Sequence, residues 1–155
     1  MFLLRTTGSW IGETEPVIVL RREEREKIYP LQILMYHEIV NDKLAGIPVA
    51  VTYCPLCNTG TAFRRTANGK ILDFGTTGRL RYSNLLMYDR QTESWWQQAT
   101  GTAVIGTYTG QELEMFPSFP KRKSCPKIPV SDVPPCAPLT GDTIPVHPGP
   151  IRDRR

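Results

Sequence analysis

The sequence predicts a mainly β fold: an antiparallel meander with one short helix and a disordered Pro-rich C-terminal tail. Three observations carry that expectation. Short β-branched and apolar runs are separated by Gly, Asn and Asp turns. The period-2 pattern of these runs fits no helical bundle. Ten of the 14 prolines lie between Pro117 and Pro150, a density at which neither helix nor central strand persists. With 155 residues, 40% of them hydrophobic, the chain is long enough for one domain with a real core and too short for two. The expected units are a partial β domain over 10–117 and a Pro-rich tail over 118–155, which offers no periodic face to bury.

The elements follow in chain order. The charged run from Arg21 to Lys27 reads as a solvated turn or hairpin tip. Pro30 fits a first helical position, and Leu31, Leu34 and Met35 follow at helical spacing. His37 to Asn41 and Pro48 to Tyr53 are expected as paired strands, with the turn near Leu44-Ala45. Thr61 to Arg65 and Ile71 to Phe74 flank Asn68-Gly69, which supplies the positive φ angles of a two-residue hairpin turn. Leu85 to Tyr88 is a short apolar strand ended by the polar turn from Asp89 to Thr92. Ala103 to Tyr108 and Glu112 to Phe116 form a second candidate hairpin around Thr109-Gly110.

Charge and missing motifs narrow the function. The formal net charge is +4, but residues 118–155 hold seven basic and three acidic side chains, leaving 12 of each sign in residues 1–117. A neutral body lacks the phosphate-neutralising face that nucleic-acid binding needs. No apolar run approaches a membrane span, and the start from Met1 to Arg5 lacks the apolar core and cleavage site of a secretory signal. As written, the chain is expected in the cytoplasm. No phosphate loop, dinucleotide fingerprint or nucleophile elbow is present.

The chemistry is concentrated between His37 and Cys57. A β-branched strand, Val49 to Tyr53, runs straight into Cys54-Pro-Leu-Cys57, a spacing that lets two sulfurs face one ion or close one small ring. Thiolates suit a soft or borderline metal, copper or zinc, and vicinal thiols exchange with disulfides. The plainer alternative is two cysteines packing as small hydrophobes. A thioredoxin site would place the second cysteine in a long helix, whereas Asn58-Thr-Gly60 follows here at once. With a strand register summing to about 90, His37 falls opposite Tyr53 and beside Cys54, as a third ligand or proton partner. Glu38, Asn41 and Asp42 then orient the ring or simply cap the turn. Met87 is a strand methionine, more often core than a Cu(I) thioether ligand. Trp95 and Trp96, with Gln97 and Gln98, are expected to line a pocket, although adjacent strand residues face opposite ways and at most one tryptophan is core. Cys125, Cys136 and His147 match no compact zinc spacing and read as incidental.

Several blocks in order carry a resemblance: His37-Glu-Ile-Val-Asn-Asp42, Val51-Thr-Tyr-Cys-Pro-Leu-Cys57, Phe74-Gly-Thr-Thr-Gly78 and Asn84 through Gln98. The chain resembles a bacterial domain of unknown function, family 3179, from about Trp10 to Pro117. The resemblance implies relatives that are exported or anchored at the bacterial envelope, and it implies no established catalytic activity. It also implies a domain truncated or frame-shifted after Pro117, hence an exposed strand edge and a protein partner or self-association. Two function classes stand. One is a thiol-based metal-binding or redox module built on Cys54, Cys57 and His37. The other is a non-enzymatic structural or partner-binding domain, in which a structural zinc or disulfide only stabilises the turn and the Trp95-Trp96 region contacts a partner.

Overall fold

The structure, a computed structural model, describes residues 15–122. It is built from twelve strands and one helix. β1 (Pro16–Arg22) and β2 (Arg25–Pro30) form a hairpin whose tip is Glu23-Glu24, as the charged run predicted. α1 (Leu31–His37) starts immediately after Pro30, which is not the first helical residue expected but the extended N-cap, at φ −64 and ψ 133, and the last residue of β2. β3 (Ile39–Leu44), β4 (Ile47–Cys54) and β5 (Thr59–Arg64) make one antiparallel meander. β6 (Thr66–Ala67) and β7 (Lys70–Ile71) form a minimal hairpin. β8 (Phe74–Arg81), β9 (Asn84–Asp89), β10 (Trp95–Gln97) and β11 (Ala103–Ile105) make a second meander. β12 (Ser118–Arg122) returns to pair with β1.

β4 sits at the centre. Its side chains alternate across the pleat: Val49, Val51 and Tyr53 enter one cluster with Ile18, Leu20, Leu34 and Phe116, while Ala50 and Cys54 enter another with Phe63, Phe74, Leu85, Met87 and Trp96. The central meander is therefore packed on both faces. This explains why every residue from Val49 to Cys54 is buried and why the strand reads as a continuous run rather than an alternation. Each face holds one cluster: β1, β2 and α1 cover the first, the second meander the other.

Several expectations are corrected. α1 extends through His37, and Glu38 ends it at φ 57 by donating its N–H to Leu34 O at 2.8 Å. The strand expected from His37 thus begins at Ile39, and its register sums to 91 because the two-residue turn is Ala45-Gly46, at φ 48 and 80. The Asn68-Gly69 turn forms as expected, at φ 47 and 73, but its hairpin is only two residues per arm because β5 spends its ladder on β4. The second expected hairpin dissolves into a looped excursion. Ala103 exchanges bonds with Gly110 and Gln111, and from Glu112 to Met115 the chain makes only isolated bridges. The expected domain end at Pro117 is passed by β12, in which Pro120 lies opposite Ile18. An edge strand accepts proline because one side of its ladder is unused. The remainder of the expected tail, with Cys125, Cys136 and His147, lies outside the described residues.

Candidate functional site

Cys54 is the last residue of β4 and pairs with Thr59, so Pro55-Leu-Cys-Asn58 is the four-residue loop of the β4–β5 hairpin. Asn58 turns the chain at φ 49, a conformation asparagine tolerates better than most residues. Its Oδ1 accepts the Tyr53 hydroxyl at 2.8 Å, fastening the loop to the strand beneath it. Both cysteines are free thiols; Cys54 is buried at 1% exposure and Cys57 is half-buried.

Cys57 Sγ donates to the backbone carbonyl of Cys54 at 3.9 Å, and the surroundings of the two thiols shift them in opposite directions. Burial first, then the neighbouring Cys57 thiol, push the Cys54 thiol above its ordinary value, against backbone N–H groups of Cys57 and Leu85. Burial also pushes Cys57 up, but the Cys54 thiol, the Thr59 side chain and backbone N–H, and the Asn84 amide together hold it below the ordinary value. A thiolate at Cys57 is thus favoured by donors, and a thiol at Cys54 by its surroundings.

The Asn84 contact is fixed by its neighbours. Asn84 Oδ1 accepts the backbone N–H of Ala99 at 2.9 Å and the Gln97 amide at 2.7 Å. A backbone N–H only donates, so the oxygen must face Ala99 and Nδ2 must face Cys57 Sγ, at 3.2 Å. Nδ2 also donates to Gln98 Oε1 at 2.7 Å, and Gln98 Nε2 reaches Thr52 Oγ1 at 3.1 Å and Thr59 O at 3.0 Å. The Thr52 and Thr61 hydroxyls lie 2.8 Å apart. This buried polar chain ties β4 and β5 to β9 and β10 behind the cysteine loop. Sequence reasoning placed Gln97 and Gln98 beside the tryptophans but did not connect Asn84, Thr52 or Thr61 to the thiols. The signal was there in three polar side chains interrupting strands that otherwise bury apolar ones.

The other expected site residues go elsewhere. His37 does not join the sulfurs: it is exposed at the end of α1, whose Leu34 packs on the face of β4 opposite to Cys54. Among the described residues no three His, Cys, Asp or Glu side chains are grouped to hold a metal, so copper or zinc would find two thiolates here without the third protein ligand expected of His37. Glu38 caps the helix, and its carbonyl accepts the Tyr53 N–H at 2.7 Å; burial raises its carboxyl. Asn41 bridges to the second meander, donating to Phe74 O at 2.8 Å and accepting Phe74 N–H at 2.9 Å. Asp42 binds Lys27 Nζ and the Tyr29 hydroxyl, each at 2.9 Å. These three residues join elements rather than orient an imidazole. Met87 and Trp96 are fully buried in the core, with Trp96 Nε1 donating to Asp89 Oδ2 at 2.9 Å, and Trp95 is half-buried. The expected pocket is therefore core at Met87 and Trp96. A surface cleft lies instead beside Asn84 and Gln97, lined by Arg81, Tyr82, Ala99, Thr100 and Thr102.

No helix among the described residues is long and apolar enough to cross a membrane. No curated protein and no solved structure matches the chain. A family model described as "Protein of unknown function (DUF3179)" matches residues 3–122, beginning before Trp10 and continuing past Pro117 to the end of β12. That match spans most of the sequence and takes in the cysteine loop, both meanders and the closing strand, so the chain belongs to the DUF3179 family.

Proposed function

We propose that the β4–β5 loop is a thiol-based redox site, with Cys57 as the attacking thiol and Cys54 as the resolving one. The observation that carries this reading is the pair itself. Two free thiols stand three residues apart at one hairpin loop, Cys57 half-exposed and contacted by the Asn84 amide, Cys54 buried. In the proposed step, Cys57 thiolate attacks one sulfur of a substrate disulfide, forming a mixed disulfide and expelling the other half as a thiolate. Cys54 then attacks Cys57 Sγ, its proton passing to the second thiolate as that thiolate is expelled, and closes a Cys54–Cys57 disulfide. Two electrons pass from the dithiol to the substrate disulfide, which is the oxidant.

A second reading has its own support. Cys54 lies inside the hydrophobic cluster with Leu85 and Trp96, where a cysteine serves as a small apolar filler. Trapping separates the two, in a Cys125→Ser, Cys136→Ser background that removes the tail thiols. With Cys54→Ser, a small disulfide should leave a stable mixed disulfide on Cys57, because the resolving thiol is gone. With Cys57→Ser, adduct formation on Cys54 should be much slower. Equal trapping on both cysteines, or none on either, would support the filler reading.

A further inference from the structure

The cleft beside the cysteine loop has features that the redox site alone does not use. It is about 380 Å3 in volume, and its lining includes Arg81, Tyr82, Asn84, Gln97, Thr100 and Thr102. Asn84 is shared: it lines the cleft and donates to Cys57 Sγ at 3.2 Å. Gln97 is 5% exposed, and its orientation is fixed because Nε2 donates to the backbone carbonyl of Arg81 at 3.1 Å. Its Oε1 is therefore the other end of the amide, and that oxygen is buried without a hydrogen-bond partner. Such an orphan acceptor has lost its water without gaining a partner, so a ligand N–H that reached it would recover that loss.

The rim of the cleft is strained. Tyr82 and Ser83 form the two-residue turn between β8 and β9 with φ 52 and 59, where Asn-Gly is the ordinary choice. A bulky side chain in the left-handed region is disfavoured, and Tyr82 is 86% exposed, so no core contact offsets the cost. The turn instead sets the Tyr82 ring under the Arg81 guanidinium, 4.8 Å from its centroid. Arg81 has no ion-pair partner among the described residues, and no carboxylate lines the cleft.

We propose that this cleft is the substrate subsite of the dithiol, and that it takes the amino-acid end of a low-molecular-weight disulfide. The substrate carboxylate pairs with Arg81 and the Thr100 and Thr102 hydroxyls, and a substrate N–H meets Gln97 Oε1. Asn84 separates that end from the sulfur presented to Cys57. The inference rests on the redox reading above and adds the substrate class to it.

The test uses the full chain with Cys125→Ser and Cys136→Ser, reduced and then mixed with one of two probes. Glutathione disulfide carries carboxylates and N–H donors; 2-hydroxyethyl disulfide carries neither. The quantity read is the ratio of the two second-order rate constants for loss of the Cys54 and Cys57 thiols. Arg81→Gln should lower the ratio by about tenfold or more, the worth of one charge-assisted hydrogen bond. Arg79→Gln, at an exposed arginine outside the cleft, should leave the ratio unchanged. An unchanged ratio in Arg81→Gln, or an equal fall in Arg79→Gln, overturns the subsite and leaves the redox site standing. If neither probe oxidises the parent chain, the redox reading falls and takes the subsite with it.

Discussion

Cys57 and Asn84 give the clearest residue-scale expectation. Because the Cys57 thiol is held below its ordinary value and Cys54 above it, alkylation at Cys57 should rise at lower pH than alkylation at Cys54, followed site by site in a mass-spectrometric pH series. Asn84→Ala removes a donor to the Cys57 sulfur and should slow its alkylation near neutral pH several-fold. It should also cost roughly 1–3 kcal/mol of stability by orphaning the Gln97 and Gln98 amides. Simultaneous alkylation of the two cysteines at all pH values would contradict the assignment of roles. Asp42 makes a second expectation at this scale. Burial pushes its carboxyl up, but Lys27, the Lys43 N–H and the Tyr29 hydroxyl outweigh it and hold the folded value below the ordinary 3.8. A depressed folded value stabilises above the unfolded one and is lost as pH falls through the folded one. Asp42→Asn should therefore lower stability at neutral pH by roughly 1–3 kcal/mol and flatten its fall below about pH 4 in urea titrations. The CxxC and its turn context were legible from residue type alone. The Asn84 contact was not, because nothing local to residue 84 says which loop lies across from it.

Among the elements, turns were easier to read than partners. Asn68-Gly69 announces its own backbone, and Pro30 announces a helix start, because φ preferences act within one residue. The length of the β6–β7 hairpin depends on β4, which claims β5 through Arg64, and on Arg65, whose N–H goes to Pro48 O. The placement of His37 failed for a related reason. Leu34 is the sole helical residue buried, and seating it carries the helix through His37 onto the face of β4 that Cys54 does not share. Two glycines test how far local backbone and long-range packing differ. Gly69 and Gly101 have nearly the same φ, +73 and +71, but a Cβ at Gly69 meets nothing, whereas one at Gly101 comes within 2.7 Å of Phe63 Cε1 and 3.3 Å of Leu113 O. Gly69→Ala should cost about 1–2 kcal/mol by urea denaturation, and Gly101→Ala clearly more. Equal costs would mean that Phe63 yields, and that this part of the core is looser than described.

For the whole molecule, the mainly β class was legible because period-2 runs and turn residues recur throughout the body. The division into two clusters was not, since β4 reads as one unbroken apolar run whichever face each residue takes. β12 shows what closes the fold. It covers the free side of β1, whose Val17 to Leu20 are all buried. Ending the chain at Pro117 should expose that edge, lower the thermal midpoint and promote self-association, read by light scattering; a monomer of unchanged stability would show that β12 is dispensable. The central claim is that Cys54 and Cys57 exchange two electrons without disturbing this frame. It is tested most directly by equilibrating the full chain, with Cys125→Ser and Cys136→Ser, across a series of glutathione redox buffers and weighing the intact protein. The account predicts a reversible loss of two hydrogen masses, mapped to a Cys54–Cys57 disulfide, with the circular dichroism of the β fold unchanged. Thiols that stay reduced across the series, or an oxidised form that unfolds, would contradict it.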